Sequence, residues 1–259
     1  MRKPIDLDNF FAAATDVAAN NGKPVSDLKL LDVGCGTGNY LSAVSPKLGK
    51  CIGIEFNEGM LAQAQAKEMP GVELSQGSAL DLTRFEPGSF DLVIMTQVLH
   101  HLEPEDHNQV LQQIARVLAP GGALWMSTQT PHQHMDGFWW TPLIPKASAK
   151  VAARFPGLPE LTKAMTSAGF ASISTHVPAE TLISPPHYLV RDGPFDEIFR
   201  NCDSTWSAAT DDELQSGLDW WRDMIDSGSA GAFMEQREER RAIVGMTTSV
   251  TAVKAATYS

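Results

Sequence analysis

Between residues 28 and 177 the chain alternates short apolar runs with amphipathic stretches, and no other property limits its fold as tightly. The apolar runs are LKLLDVG (28–34), KCIGIEF (50–56), VELSQG (72–77), FDLVIMTQ (90–97), GALWMSTQ (122–129) and ASISTHV (171–177). Each has the length of a strand, and glycine or proline punctuates the joins. The stretches 39–49, 58–68 and 105–119 have helical spacing; in the last, Val110, Leu111, Ile114, Val117 and Leu118 recur so that one face is buried. Such an alternation predicts an α/β chain with a doubly wound, mostly parallel sheet covered by helices on both faces. With GMTTSVTAVKA (245–255) as the last strand the sheet has seven. After residue 129 the order loosens into PHQHMDGFWWTPLIPK, a helical stretch at 158–170, and a long strandless segment. Within that segment 195–202, 211–226 and 230–244 read as helices, the middle one opened by acids that suit the helix dipole. The expectation is one domain over 1–259: an N-terminal helical segment (1–27), a ligand-binding core (28–177), a helical cap (178–242) inserted before the last strand, and that strand (243–259).

Composition excludes several classes. With 43% hydrophobic and 20% charged residues the chain reads as an ordinary globular protein, and its apolar runs are too short to cross a bilayer. MRKPIDLDNFF turns polar and acidic where a secretory leader would turn apolar, so a cytoplasmic location is expected. Cys35, Cys51 and Cys202 are widely spaced, which argues against a disulfide framework and a structural zinc site. A net charge of −11 disfavours a phosphate backbone, and the basic run QREERR (236–241) is balanced by glutamates, as on a solvated helix face.

LLDVGCGTGNY (30–40) places Gly34, Gly36 and Gly38 after a strand and before a helix, where backbone amides can approach a ligand. A nicotinamide fingerprint, GxGxxG, would need a third glycine where Asn39 stands. Glu55 ends the second strand, where a carboxylate can accept both hydroxyls of a ribose. LLDVGCGTG, GIEFNEGMLAQAQ, GSALDLTRFEPGSFDLVIMTQVLHHL and RVLAPGGALWMSTQ, in this order over 28–129, resemble class I S-adenosylmethionine (SAM) dependent methyltransferases, a Rossmann-like family. The resemblance implies SAM as cofactor and S-adenosylhomocysteine (SAH) as product. It places Asp32 near the methionine ammonium and Gly34, Cys35, Gly36 and Gly38 against the methionine and ribose portion. It gives Glu55 the ribose hydroxyls, Phe56 the adenine face, and Gln97 a place near the transferring methyl group. The family often has GDA where this chain has Gly77-Ser78-Ala79, so either Ser78 or Asp81 meets the adenine edge.

Methyl transfer is an in-line displacement in which orientation can supply much of the rate, and a general base is optional. His100 and His101 are candidates for that base, or they orient backbone at the start of the helix after the fourth strand. His132 and His134 follow the fifth strand as HxH; with no third ligand nearby, no metal is expected. Trp139 and Trp140 either wall an acceptor pocket or pack a core, and Trp220 and Trp221 read as packing. Phe11, Tyr40, His132, Trp139 and Trp140 are the candidate acceptor residues. SPPHY (184–188) is similar to the [DNS]PP[YFW] signature of base-modifying amino methyltransferases, yet it follows the sixth strand instead of the fourth. The resemblance to the ubiquinone/menaquinone-biosynthesis type implies a small organic acceptor held in an apolar pocket near Phe10, Phe11, residues 130–145 and the cap. Other readings are aminopropyl transfer, a macromolecular acceptor, and a non-catalytic SAM-binding subunit. Oligomeric state is not written in the sequence.

Overall fold

The computed structural model describes residues 3–256; the first two residues of the expected N-terminal segment and the last three of the final-strand segment lie outside it. The strands are β1 (Leu30–Val33), β2 (Cys51–Glu55), β3 (Val72–Gln76), β4 (Phe90–Thr96), β5 (Leu118–Thr128), β6 (Phe170–His176) and β7 (Thr248–Lys254). They form one sheet in the order β3-β2-β1-β4-β5-β7-β6, with β7 antiparallel to β6. The doubly wound, seven-stranded α/β fold expected from the sequence is the one observed. The helices are α1 (Leu7–Asn20), α2 (Asn39–Val44), α3 (Glu58–Gln65), α4 (His107–Val117), α5 (Pro131–Asp136), α6 (Pro145–Ala152) and α7 (Leu158–Ser167). Between β6 and β7 lie α8 (Pro185–Tyr188), α9 (Glu197–Arg200), α10 (Asp211–Asp226) and α11 (Ala230–Val244), the helical insertion before the last strand.

Burial explains the strand sequences. β1 is paired on both edges, with β2 and β4, and a core covers each of its faces, Leu31 and Val33 in one and Leu30 in the other, so LLDV is buried at every position. β6 lies at a sheet edge and is mostly exposed beyond Phe170. β5 starts at Leu118, four residues before the expected 122, because the Pro120-Gly121-Gly122 run lies inside the strand at a register shift against Phe90 and Leu92. A side chain at Gly122 would meet the Asp91 carbonyl oxygen at 2.8 Å. Residues 130–145, expected without helices, contain α5. Its Thr130 and Gln133 form a capping box, each side chain bonding the other's backbone amide. The helix expected to open at His100 opens at His107; the histidine pair occupies a 3-10 turn, Leu99–His101, upstream of Pro104.

The chain divides into two compact bodies. The sheet body holds Asp6–Thr128, Leu158–His176 and, of the described residues, those from Ser249 on. Its two cores flank the sheet, one built on Val33, Val93, Leu111 and Ile114, the other on Phe10, Leu41, Ile94 and Trp125. The helical body holds, of the described residues, those up to Ile5, Gln129–Gly157 and Val177–Thr248, around Phe138, Trp139, Trp140, Tyr188, Trp206 and Trp221.

Candidate active site

In the sheet body the strand order reverses direction between β1 and β4, and open α/β sheets gather ligands at the carboxyl ends of strands beside such a reversal. Asp32, on β1, is 1% exposed, and neither carboxylate oxygen has a hydrogen-bond partner among the described residues. Burial pushes its carboxyl well above the ordinary carboxylate range, and the charge of Glu55 adds to the shift. An ionised carboxylate so enclosed is costly unless a cation meets it. Asp32 is thus suited to hold an ammonium group.

The glycine loop begins one residue after β1. Gly34, Gly36 and Gly38 have φ of +74°, +57° and +75°, the left-handed region that glycine enters without a Cβ penalty. A Cβ on Gly34 would stand 2.4 Å from Val98 Cγ2, so the residue after Gln97 packs directly onto the loop. The amides do not face outward as expected from the sequence. Gly34 and Cys35 N–H both donate to the Ile54 carbonyl at 2.9 Å, and Gly38 N–H donates to the Cys35 carbonyl at 2.9 Å. Gly36 N–H donates to Glu55 Oε2 at 2.8 Å. What the glycines supply is shape, because the loop must fold tightly over the end of β2. Cys35 is buried, and burial, then the charges of Asp32 and Glu55, push its thiol far above its usual range, which keeps it a thiol rather than a nucleophile.

Glu55, 9% exposed, is gripped from both sides: Oε2 by Gly36 and Oε1 by Asn57 N–H at 2.8 Å. A carboxylate has about four acceptor sites, so two remain for a pair of hydroxyls. Asn57 caps α3 with its side chain, which accepts from Met60 N–H and so fixes the amide that holds Glu55. Phe56 is 74% exposed, and Met60 is the other large apolar side chain exposed in the described part of this body. After β3, Ser78 Oγ accepts from Leu80 N–H at 3.2 Å. Ala79 is buried. Asp81 accepts from Thr83 N–H at 3.0 Å and from the Thr83 hydroxyl, whose bond is the main cause holding its carboxyl below the ordinary range. Gln97, one residue past β4, is a non-glycine residue at φ +54°. His100 is buried, His101 is exposed, and their rings lie 4.0 Å apart.

The candidate acceptor residues fall into two groups. Phe11 and Tyr40 belong to the sheet body, Phe11 under the Lys47 ammonium at 4.4 Å and Tyr40 with its ring 5.8 Å from Trp125. His132, Trp139 and Trp140 belong to the helical body. His132 is exposed, with Nδ1 3.3 Å from Asp136 Oδ2. Trp139 and Trp140 are fully buried: Trp139 Nε1–H donates to the Tyr188 carbonyl at 2.8 Å, and Trp140 lies 4.9 Å from Trp206. Their burial favours core packing over a pocket wall. Tyr188, from SPPHY, accepts from Trp139 N–H at 3.1 Å and is part of that core. Among the described residues no three of His, Cys, Asp or Glu are placed to hold a metal. Sequence reasoning missed a buried polar chain in this body: His134 Nδ1 lies 3.0 Å from Gln129 Oε1, His134 Nε2 lies 3.4 Å from Thr205 Oγ1, and Thr205 donates to Asp203 at 2.6 Å. Thr205 and Asp203 stand in a stretch with no periodic signal, so nothing in the sequence pointed to them.

Known proteins are similar to this chain in sequence and in fold. A methyltransferase domain family matches residues 31–126. Demethylmenaquinone methyltransferase of Bacillus mycoides (strain KBAB4) is 32% identical over 171 residues, which span 56% of this chain and 70% of that protein. Among solved structures, a putative methyltransferase from an antibiotic biosynthesis pathway of Anabaena variabilis superimposes with a TM-score of 0.71 at 18% identity, covering 93% of this chain and 96% of that one. Phosphoethanolamine N-methyltransferase 2 of Haemonchus contortus, solved with S-adenosyl-L-methionine, gives a TM-score of 0.54 at 16% identity, covering 95% of this chain and 53% of that one. No helix among the described residues is long and apolar enough to cross a membrane. With a solitary buried carboxylate, a tight glycine loop and a gripped second-strand acid at one end of this sheet, and with these relatives, the chain belongs to the S-adenosylmethionine-dependent methyltransferases.

Proposed function

We propose that this enzyme methylates a small organic molecule, and that Asp32 is the anchor of its donor site. The observation that carries the reading is the buried carboxylate without a partner, because S-adenosylmethionine has an ammonium group to offer it. Glu55, already held by two amides, takes the ribose hydroxyls with its remaining acceptor sites. Phe56, exposed beside it, gives the adenine an apolar face, and the Ser78–Ala79 turn meets the base edge. Ser78 Oγ already accepts from Leu80 N–H and keeps a second lone pair, and Asp81, whose Oδ1 takes both donors of Thr83, keeps Oδ2 as the alternative acceptor. Cys35 with Gly34, Gly36 and Gly38 shapes the wall against the methionine portion.

The bound donor supplies a methyl group activated by a positively charged sulfur. The residues around it bind and orient, and Gln97 faces the methyl end from the close of β4. His100 and His101 have an orienting part in the turn that follows, so His101→Ala is expected to leave SAH affinity intact. A small acceptor is supported by the names of the relatives, which act on demethylmenaquinone and phosphoethanolamine, and by the net charge of −11, which opposes a nucleic acid polymer. The deciding experiment incubates the enzyme with methyl-labelled SAM and three separate cell fractions: small metabolites, RNA and protein. Label in a metabolite supports the proposal and identifies the acceptor by mass; label confined to RNA or protein overturns it.

A further inference from the structure

Gln97 is held in place from an unexpected quarter. Of the non-glycine residues with positive φ, three are recorded among the described residues, and Gln97 is the one at the end of a central strand. Such a conformation costs free energy and persists where neighbours impose it. The neighbour here is Ser127 on β5, whose carbonyl accepts Gln97 N–H at 2.8 Å, extending the β4–β5 ladder one residue past Thr96. The same residue takes the other end of the side chain: Gln97 Nε2 donates to Ser127 Oγ at 3.4 Å. Ser127 is 1% exposed, among the buried residues that fill the second half of β5, and a hydroxyl in such a place calls for a polar partner.

We infer that Ser127 is a positioning residue for the donor methyl group, acting through Gln97. With its nitrogen turned to Ser127, the Gln97 carboxamide has its electron-rich oxygen left to accept, and this is the end suited to a methyl group carried on a cationic sulfur. Were the nitrogen presented instead, its hydrogens would oppose the positive charge. The backbone bond from Gln97 to the Ser127 carbonyl survives any substitution at 127, so the kink and the packing of Val98 on Gly34 survive too. The hydroxyl therefore governs the carboxamide separately from the loop that binds the donor. This inference rests on the proposed place of Gln97 beside the methyl group, and its test separates the two.

The probe is SAM labelled with carbon-13 in its methyl group, whose bound resonance reports the methyl environment without turnover. Ser127→Ala is expected to move that resonance to where Gln97→Gly moves it, glycine being chosen because it accepts the left-handed backbone. SAH affinity by calorimetry should stay within about threefold of the native value. Ser127→Thr, which keeps a hydroxyl, should leave the resonance at its native position, and the double variant should match Gln97→Gly alone. A Ser127→Ala resonance that coincides with the native one, while Gln97→Gly is displaced, overturns the inference and spares the Gln97 reading. A resonance unmoved by Gln97→Gly overturns both. Loss of SAH affinity together with a lowered melting temperature in Ser127→Ala would reduce Ser127 to a packing residue.

Discussion

A carboxylate without partners is a liability to the empty enzyme. Because the folded state raises the Asp32 carboxyl above its unfolded value near 3.8, folding favours the protonated form. Its contribution to stability is complete below that value and is lost as pH rises through the folded one. Asp32→Asn removes the charge and should make the ligand-free protein more stable at neutral pH by roughly 1–3 kcal/mol, while SAH stabilises the variant less than the native enzyme. Thermal melts across pH with and without SAH check both halves, and a destabilised variant would contradict the account. Glu55→Ala removes an acceptor that two amides hold in place, and SAH affinity should fall about 10- to 100-fold in calorimetry. Glu55 was legible in the sequence as the acid that ends the second strand, and Asp32 through the resemblance of LLDVGCGTG to the family's first motif. The grip of Gly36 and Asn57 on Glu55 was not, because it depends on how the loop closes over β2.

Elements show where local rules lose to packing. In α10, Gly217 sits mid-helix, a place where alanine ordinarily gains about 1 kcal/mol. Here a Cβ would lie 2.0 Å from the Leu143 carbonyl oxygen, a backbone atom that cannot turn aside. Gly217→Ala should therefore destabilise the protein, by about 2 kcal/mol or more, and denaturant unfolding decides the sign. Helix periodicity found α10 without showing this close approach. α5 was legible after all: Thr130 and Gln133, with proline between them at the first helical position, are the spelling of a capped start. The aromatic residues that follow hid that signal, because they read as irregular chain. The early start of β5 was hidden by the opposite bias, since Pro120, Gly121 and Gly122 spell a turn and are a bulged strand.

For the molecule as a whole, the alternation over 28–177 predicts a mostly parallel sheet, but the place of β7 between β5 and β6 depends on pairings between distant segments that no local pattern encodes. The division into bodies is equally non-local, since the helical body gathers three separate stretches of chain. The charge is legible at once: 31 acidic against 20 basic side chains repel one another in the compact state. Screening by about 0.5 M sodium chloride should raise the melting temperature by roughly 2–4 °C, and a decrease would show that specific ion pairs outweigh the repulsion. The tryptophans are unevenly shared. Trp139, Trp140, Trp206, Trp220 and Trp221 lie in the helical body, and Trp125 alone of the six lies in the sheet body. Intrinsic fluorescence is thus almost a private channel of the helical body, and replacing Trp125 with phenylalanine would make it fully so. Emission followed beside far-ultraviolet circular dichroism, to which both bodies contribute, would then reveal by coincident or separated transitions whether the two bodies unfold as one cooperative unit.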